Sequence, residues 1–263
     1  MNLDVVTALS GLLVGTVVGM TGVGGGALMT PVLVLVLGVS PSIAIGTDLL
    51  FASATKLVGV SVHHPHGTVD WRVVKRLALG SLPAAALTLL WLHLSGAART
   101  TNGVLLNGVA VAMLITALGM LFRKRLHAIG RRLRTGTPRR FKQVQPAATV
   151  VAGAILGVLV TLTSIGAGAI GTVALLYLYP LRLSGAKLVG TDLAHAIPLA
   201  LVAGLGHLAF GHVDYTLLIT LLAGSIPGVV IGAMLSTRAP LRLVQAGIAM
   251  ALVGVATKML LTG

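Results

Sequence analysis

The chain has 263 residues, of which 56% are hydrophobic and 9% charged, with nineteen Lys and Arg, five acidic residues and no cysteine. A water-soluble domain carries about 25% charged residues, so this composition and a mean hydropathy of +1.01 make the bilayer part of its solvent and exclude disulfides, thiolate metal sites and cysteine catalysis. The net charge of +14 does not point to nucleic acid, because nine of the nineteen basic residues fall within residues 123–142, flanked by apolar runs in the manner of a cytoplasmic loop.

In chain order, apolar runs occupy residues 5–20, 27–39, 43–62, 77–94 and 104–122, then the basic segment, then 147–162, 169–181, 188–210, 215–235 and 243–261. The first run lacks a basic leader, since the first Lys or Arg is Lys56, and is not read as a secretory signal. Spanning the hydrocarbon core takes about 20 helical residues. The first two runs of each half fall short of this and are separated by a glycine-rich break, so they read as thin tilted spans or as a re-entrant hairpin.

The two halves align. Gly46-Thr47-Asp48-Leu49 matches Gly190-Thr191-Asp192-Leu193, Gly67-Thr68-Val69-Asp70-Trp71 matches Gly211-His212-Val213-Asp214-Tyr215, and Gly80-Ser81-Leu82-Pro83 matches Gly224-Ser225-Ile226-Pro227. Over residues 40–83, sixteen of forty-four positions equal their partners, too many for chance even in apolar sequence. After a two-residue shift, Thr21-Gly22-Val23-Gly24-Gly25-Gly26 pairs with Thr163-Ser164-Ile165-Gly166-Ala167-Gly168. With the basic segment placed in the cytoplasm, Arg72, Lys75, Arg76, Arg182, Lys187, Arg238 and Arg242 also fall inside. Equivalent loops then lie on opposite faces and both termini outside. The expected fold is an all-α polytopic membrane protein of two inverted repeats, each with Gly-interrupted short helices, re-entrant or tilted, plus three full transmembrane helices. The expected divisions are 1–122 for the first repeat, 123–146 for a basic cytoplasmic linker and 147–263 for the second repeat, in the inner membrane.

All five acids are Asp, and four occupy repeat-equivalent positions. Asp70 and Asp214, each ahead of an aromatic residue and an apolar run, read as helix N-caps. Asp48 and Asp192 lie inside spanning segments, where a carboxylate costs about 2.5–3.5 kcal/mol and marks a functional site by default; a cap in a restarted helix is the alternative. His195 follows Asp192 by three residues, a spacing suited to proton coupling, whereas Phe51 stands at the equivalent first-half position. The glycine breaks expose backbone N–H groups at the start of a short helix, with Thr21 and Thr163 adding hydroxyls. Such paired interruptions point to a transporter substrate site, with close helix packing the bland alternative. Lys56 either snorkels to the cytoplasmic surface or favours an anion within the membrane. His63-His64-Pro65-His66 lacks helical spacing and a partner cluster, so no metal site is expected. No enzyme constellation or cofactor motif is present.

At the glycine breaks and the Gly-Thr-Asp steps the chain resembles the TauE/SafE sulfite exporter family, also called toluene-sulfonate uptake permeases. The family's Gly-rich turn, proline-bearing short run, Ala-x-Gly-Thr step and Gly-Asn-Val-Asp-Trp segment appear here as Gly22–Gly26, Pro31, Ala44-Ile45-Gly46-Thr47-Asp48 and Gly67-Thr68-Val69-Asp70-Trp71. The resemblance implies alternating-access transport, usually export, of small sulfur-containing anions such as sulfite, sulfoacetate or other sulfonates. It carries a binding role to Gly22, Gly24, Gly25, Gly26, Gly46, Thr47, Gly166, Gly168, Gly190 and Thr191. Thr21, Thr163, Ser164, Asp48 and Lys56 complete the expected substrate site, with Asp192 and His195 for coupling. Asp stands where the family often has Ser or Asn. This departure leaves open an H+- or Na+-coupled transporter of another solute that uses Asp48 and Asp192 as its cation site. Membrane lipid is an expected partner, and a homodimer stays open.

Overall fold

The computed structural model describes residues 3–21, 26–63, 68–95, 102–136, 138–183, 185–235 and 241–262. Among them every regular element is a helix: α1 (Leu3–Thr21), α2 (Gly26–Leu35), α3 (Pro41–His63), α4 (Trp71–Leu94), α5 (Asn102–Gly136), α6 (Pro138–Thr163), α7 (Ala169–Leu178), α8 (Gly185–Ala209), α9 (Tyr215–Leu235) and α10 (Leu241–Thr262). An isolated sheet edge or loop would leave backbone groups unsatisfied in lipid, so a chain this apolar resolves into helices. Four of them (α4, α6, α8 and α9) are long and apolar enough to cross a membrane.

Two expectations change. The first run of the second half is not short, because it belongs to α6 with 26 residues, while α1 with 19 residues stays at the spanning limit. Helical hydrogen bonding carries both beyond their apolar stretches, and α6 begins inside the basic segment. Among the described residues α2 and α7 are the shortest helices, with 10 residues each. At 1.5 Å per residue they reach about 15 Å, half the hydrocarbon thickness. The basic segment is also no loop, because its described residues extend α5 and open α6.

The long helices bury one face and expose apolar residues on the other. In α4 the buried positions Val73, Leu77, Ser81, Ala85, Thr88 and Leu92 recur at helical spacing, while Leu79, Leu87, Leu90 and Trp91 are exposed. A helix apolar on its outer face suits lipid contact. Because lipid tails are as apolar as leucine, association relies on close backbone approach at small residues. Along α1, a Cβ added at Gly11, Gly15 or Gly19 would overlap the α9 backbone, and one at Gly224, Gly228 or Gly232 would overlap that of α1. The α4–α6 pair does the same through Gly80, Gly153 and Gly157.

Contacts come in exchanged pairs. α1 packs on α9 as α6 packs on α4; α3 meets α9 as α8 meets α4; α2 meets α10 as α7 meets α5; and α3 crosses its own counterpart, α8. The Asp70 N–H donates to Thr191 Oγ1 at 3.0 Å, and the Asp214 N–H donates to Thr47 Oγ1 at 3.1 Å. Each bond ties the segment following one helix to the first turns of the other, so α3 and α8 run antiparallel.

Candidate functional site

At the crossing of α3 and α8 the buried charges converge. Asp48 is the eighth residue of α3 and Asp192 the eighth of α8, inside continuous helices and therefore not caps. Each accepts a hydrogen bond from the short helix beside it: Thr30 Oγ1 of α2 donates to Asp48 Oδ2 at 2.5 Å, and Thr172 Oγ1 of α7 donates to Asp192 Oδ2 at 3.1 Å. The other oxygen of each carboxylate is buried and meets no strict hydrogen-bond geometry among the described residues, with the Ser164 hydroxyl beside Asp48. A Cβ at Gly171 would overlap Asp192 Oδ1, so this glycine makes room for the carboxylate.

Lys56 does not snorkel. It is 3% exposed, eight residues beyond Asp48 and hence about 12 Å further along α3. Because α8 is antiparallel, this carries Lys56 toward the level of Asp192. It interacts electrostatically with both carboxylates, yet forms no ion pair with either at 4.0 Å or less. Two buried carboxylates thus share the field of one ammonium that makes no contact ion pair among the described residues. Ser164 lies beside Asp48, its buried hydroxyl interacting with that carboxylate outside strict hydrogen-bond geometry.

Ser164 opens the break between α6 and α7. Its φ of 59° and the 119° of Gly166 place both in the left-handed region, which only glycine enters without strain. Thr163 stabilises this turn: its hydroxyl donates to Leu159 O at 2.6 Å and accepts the Ile165 N–H at 3.1 Å. The following residues Gly166, Ala167 and Gly168 are buried, and their amides make no hydrogen bond among the described residues. Buried orphan N–H groups are rare; here they lead into α7, for which Gly168 is the N-cap without a side-chain cap bond.

Other expected site residues lie elsewhere. His195 does not hydrogen-bond Asp192; its Nε2 pairs with Ser81 Oγ on α4 at 2.8 Å, and its Nδ1 is unpartnered among the described residues. Thr21 Oγ1 donates to Val17 O within α1. Gly46, Thr47, Gly190 and Thr191 belong to the seams between halves. The two threonines accept the Asp214 and Asp70 amides, and a Cβ at Gly46 or Gly190 would overlap the carbonyl of His212 or Thr68. Gly26 opens α2. Gly22, Gly24 and Gly25, like His64, Pro65 and His66, lie outside the described residues.

Asp70 and Asp214 are caps: their side chains accept the Val73 and Leu217 amides. Asp70 does more. Arg182 grips it through Nε to Oδ2 at 2.5 Å and Nη2 to Oδ1 at 2.9 Å. Burial pushes its carboxyl up, but the Arg182 hydrogen bonds and charge outweigh this and hold it below the usual carboxylate range. Sequence reading missed Thr30, Thr172, Ser81 and the Arg182 pairing. A signal existed for two of them: Thr30 and Thr172 coincide under the same shift that aligns Thr21 with Thr163.

Comparison with known proteins follows the same lines. The profile of the family described as "Sulfite exporter TauE/SafE" matches residues 7–259. The chain is 43% identical over 249 residues to the "Probable membrane transporter protein YjnA" of Bacillus subtilis (strain 168), covering 91% of this chain and 94% of that protein. A "Probable membrane transporter protein" of Xylella fastidiosa (strain 9a5c) is 30% identical over 236 residues, covering 89% and 85%. YdhB of Bacillus subtilis (strain 168), likewise a "Probable membrane transporter protein", is 27% identical over 231 residues, covering 87% and 88%. No solved structure matches the chain. With its apolar helices and half-length helices around a buried charge cluster, the chain is a multi-pass membrane transporter and belongs to the TauE/SafE sulfite exporter family.

Proposed function

We propose that the protein is a secondary transporter of small sulfur-containing anions, such as sulfite or a sulfonate, working by alternating access between two inverted repeats. The observation that carries this reading is Lys56, buried between two repeat-equivalent carboxylates and in contact ion pair with neither. Its ammonium, with the Ser164 hydroxyl and the amides of Gly166–Gly168 nearby in the same crossing, offers an anion several donors and one positive charge. The exchanged contacts of the halves and the antiparallel α3 and α8 support the inverted arrangement.

Charge bookkeeping then couples the anion to a cation. With both carboxylates ionised the cluster carries −1, with one proton it is neutral, and with two it is +1. Anion binding therefore strengthens as protons load, and each open carboxylate oxygen is a place for one. An inside-negative potential drives each negative charge outward by about 2.3 kcal/mol per 100 mV, so export of the anion is the downhill direction. The two carboxylates also favour a second reading, in which a proton or Na+ is the principal ligand and the solute is another small molecule.

Proteoliposome flux of sulfite, sulfoacetate, taurine and sulfate tests the first reading. It expects flux for a sulfur anion and thermal protection of the purified protein by that anion. Protection by Na+ with no flux of any sulfur anion would favour the second. The proposed orientation puts the basic hairpin in the cytoplasm. Single cysteines at Ser95 and Gly211 should label from outside and one at Gly136 only after the cell is opened; external labelling at Gly136 would overturn it.

A further inference from the structure

Away from the central cluster, at the end of the molecule where the basic segments meet, a cavity of ≈ 370 Å³ opens between α4, the α5–α6 hairpin and the α7–α8 connection. Arg76, Arg134, Lys142 and Arg182 line it together with the polar side chains of Gln145 and Tyr179. The cations come from three separate stretches of chain, and folding gathers them against their mutual repulsion. Their charge is poorly matched within the protein. Arg182 is paired with Asp70, and Arg76 donates to the neutral Tyr179 hydroxyl at 3.3 Å. Arg134 and Lys142 have no hydrogen-bond or ion-pair partner among the described residues. Four cations therefore stand against one carboxylate, in a chain with only five acidic residues.

The Gln145 amide and Tyr179 hydroxyl are already turned to the protein: Gln145 Nε2 donates to Leu178 O, and the Tyr179 hydroxyl bonds Thr149 Oγ1 at 2.8 Å. They hold the wall in shape and leave the guanidinium and ammonium groups for a ligand. A multiply charged oxyanion matches this set, because Arg presents paired N–H donors to adjacent oxygens and Lys a point charge. We infer that this cavity is an oxyanion-binding site distinct from the central cluster, filled by a free oxyanion of the sulfite or sulfate type or by the phosphate of an anionic lipid headgroup. As a cytoplasmic mouth that concentrates the exported anion it rests on the function proposed above; as a binding site it does not.

The site also touches the seam between halves. Arg182 lines the cavity and latches Asp70, whose own amide is tied to Thr191. An oxyanion that recruits the Arg182 guanidinium weakens the latch on that side. The equivalent seam at Asp214 shows no cation pair among the described residues.

The test compares two double variants of equal charge loss in the full chain: Arg134→Gln with Lys142→Gln in the cavity wall, and Arg139→Gln with Arg140→Gln, which are exposed and outside the lining. Sulfate binding is measured by calorimetry in neutral detergent, and retention of phosphatidylglycerol by native mass spectrometry. The proposal expects the cavity variant to weaken one of these by about tenfold or more, the scale of a lost charge-assisted contact, while the control binds as the unaltered protein does. Sensitivity of sulfate identifies a free oxyanion, and sensitivity of the lipid alone identifies a headgroup. Equal losses in both variants, or none in the cavity variant, overturn the site. Neither readout requires transport, so failure of the flux proposal leaves this result interpretable. A chain unable to fold with both changes is replaced by Lys142→Gln alone, whose exposed side chain is tolerant of substitution.

Discussion

The two halves meet at the centre with the same pair and different neighbours. Asp48 with Thr30 and Asp192 with Thr172 are repeats of one device, a carboxylate in a long helix held by a threonine from a half-length helix. Beyond that pair the symmetry ends. Lys56 has Ala200 as its equivalent, His195 has Phe51, and the Ser81 that pairs with His195 has Ser225, whose hydroxyl is unpartnered among the described residues. The halves thus share the carboxylates but not the cation or the histidine.

The largest effect is expected from the shared cation. Lys56→Met leaves two buried carboxylates with no positive charge between them, and removing one partner of a buried charge group costs about 3–5 kcal/mol. Sulfite flux should fall at least about a hundredfold in protein that still inserts and elutes as the unaltered chain does. Transport at the original rate would take the anion's path away from this crossing.

Next come the carboxylates, taken one at a time. Asp192→Asn and Asp48→Asn each remove one negative charge, so each should flatten the rise of subsaturating flux as pH is lowered across about pH 8 to 5. The His195–Ser81 contact lies in the second half only, so His195→Ala should alter the profile less than Asp192→Asn. Unchanged pH profiles in all three would leave these side chains structural. Identical responses in the two Asn variants would show that Lys56, and not His195, sets the behaviour.

The seams give a smaller effect with a built-in contrast. Thr191→Val and Thr47→Val remove the acceptors of the Asp70 and Asp214 amides. Asp70 is buried while Asp214 is exposed, so water can replace only the second bond. Thr191→Val should cost about 1–3 kcal/mol and lower the melting temperature visibly, and Thr47→Val should cost less. The reverse order would discard the burial argument.

The smallest effect is the Asp70–Arg182 latch. Its carboxyl is held below the ordinary 3.8, so the stabilisation is present above that unfolded value and is lost as pH falls through the lower folded one. Thermal stability attributable to the pair should therefore be constant from pH 7 down to about pH 4. Arg182 is 43% exposed, so Arg182→Gln should lower stability by about 1 kcal/mol or less. A loss already visible near pH 6 would mean that another group titrates there.

Much of this was legible in the chain itself. Membrane embedding, ten apolar runs, the duplicated Asp pairs and the caps at Asp70 and Asp214 all follow from local composition and spacing. The length of α6 was not, because hydropathy marks where a helix is apolar and says nothing of where backbone hydrogen bonding continues into polar residues. The Gly46-Thr47 and Gly190-Thr191 steps read as ligand contacts, and the fold uses them to seat the opposite half. A glycine and a hydroxyl look the same in sequence whether an anion or a carbonyl will approach them.

Sequence by itself determined that the chain lies in a membrane, that it is built twice, and which few charges are expensive enough to matter, since each of these depends on residue type and on separation along the chain. Tertiary structure decided which charges share a space. Thr30 reaches Asp48 across eighteen residues, Ser81 reaches His195 across 114, and Arg182 reaches Asp70 across 112. Those meetings follow from antiparallel packing of α3 and α8 and from two half-length helices folded against them. Helix crossing is a property of whole faces in contact, which no local window of residues encodes.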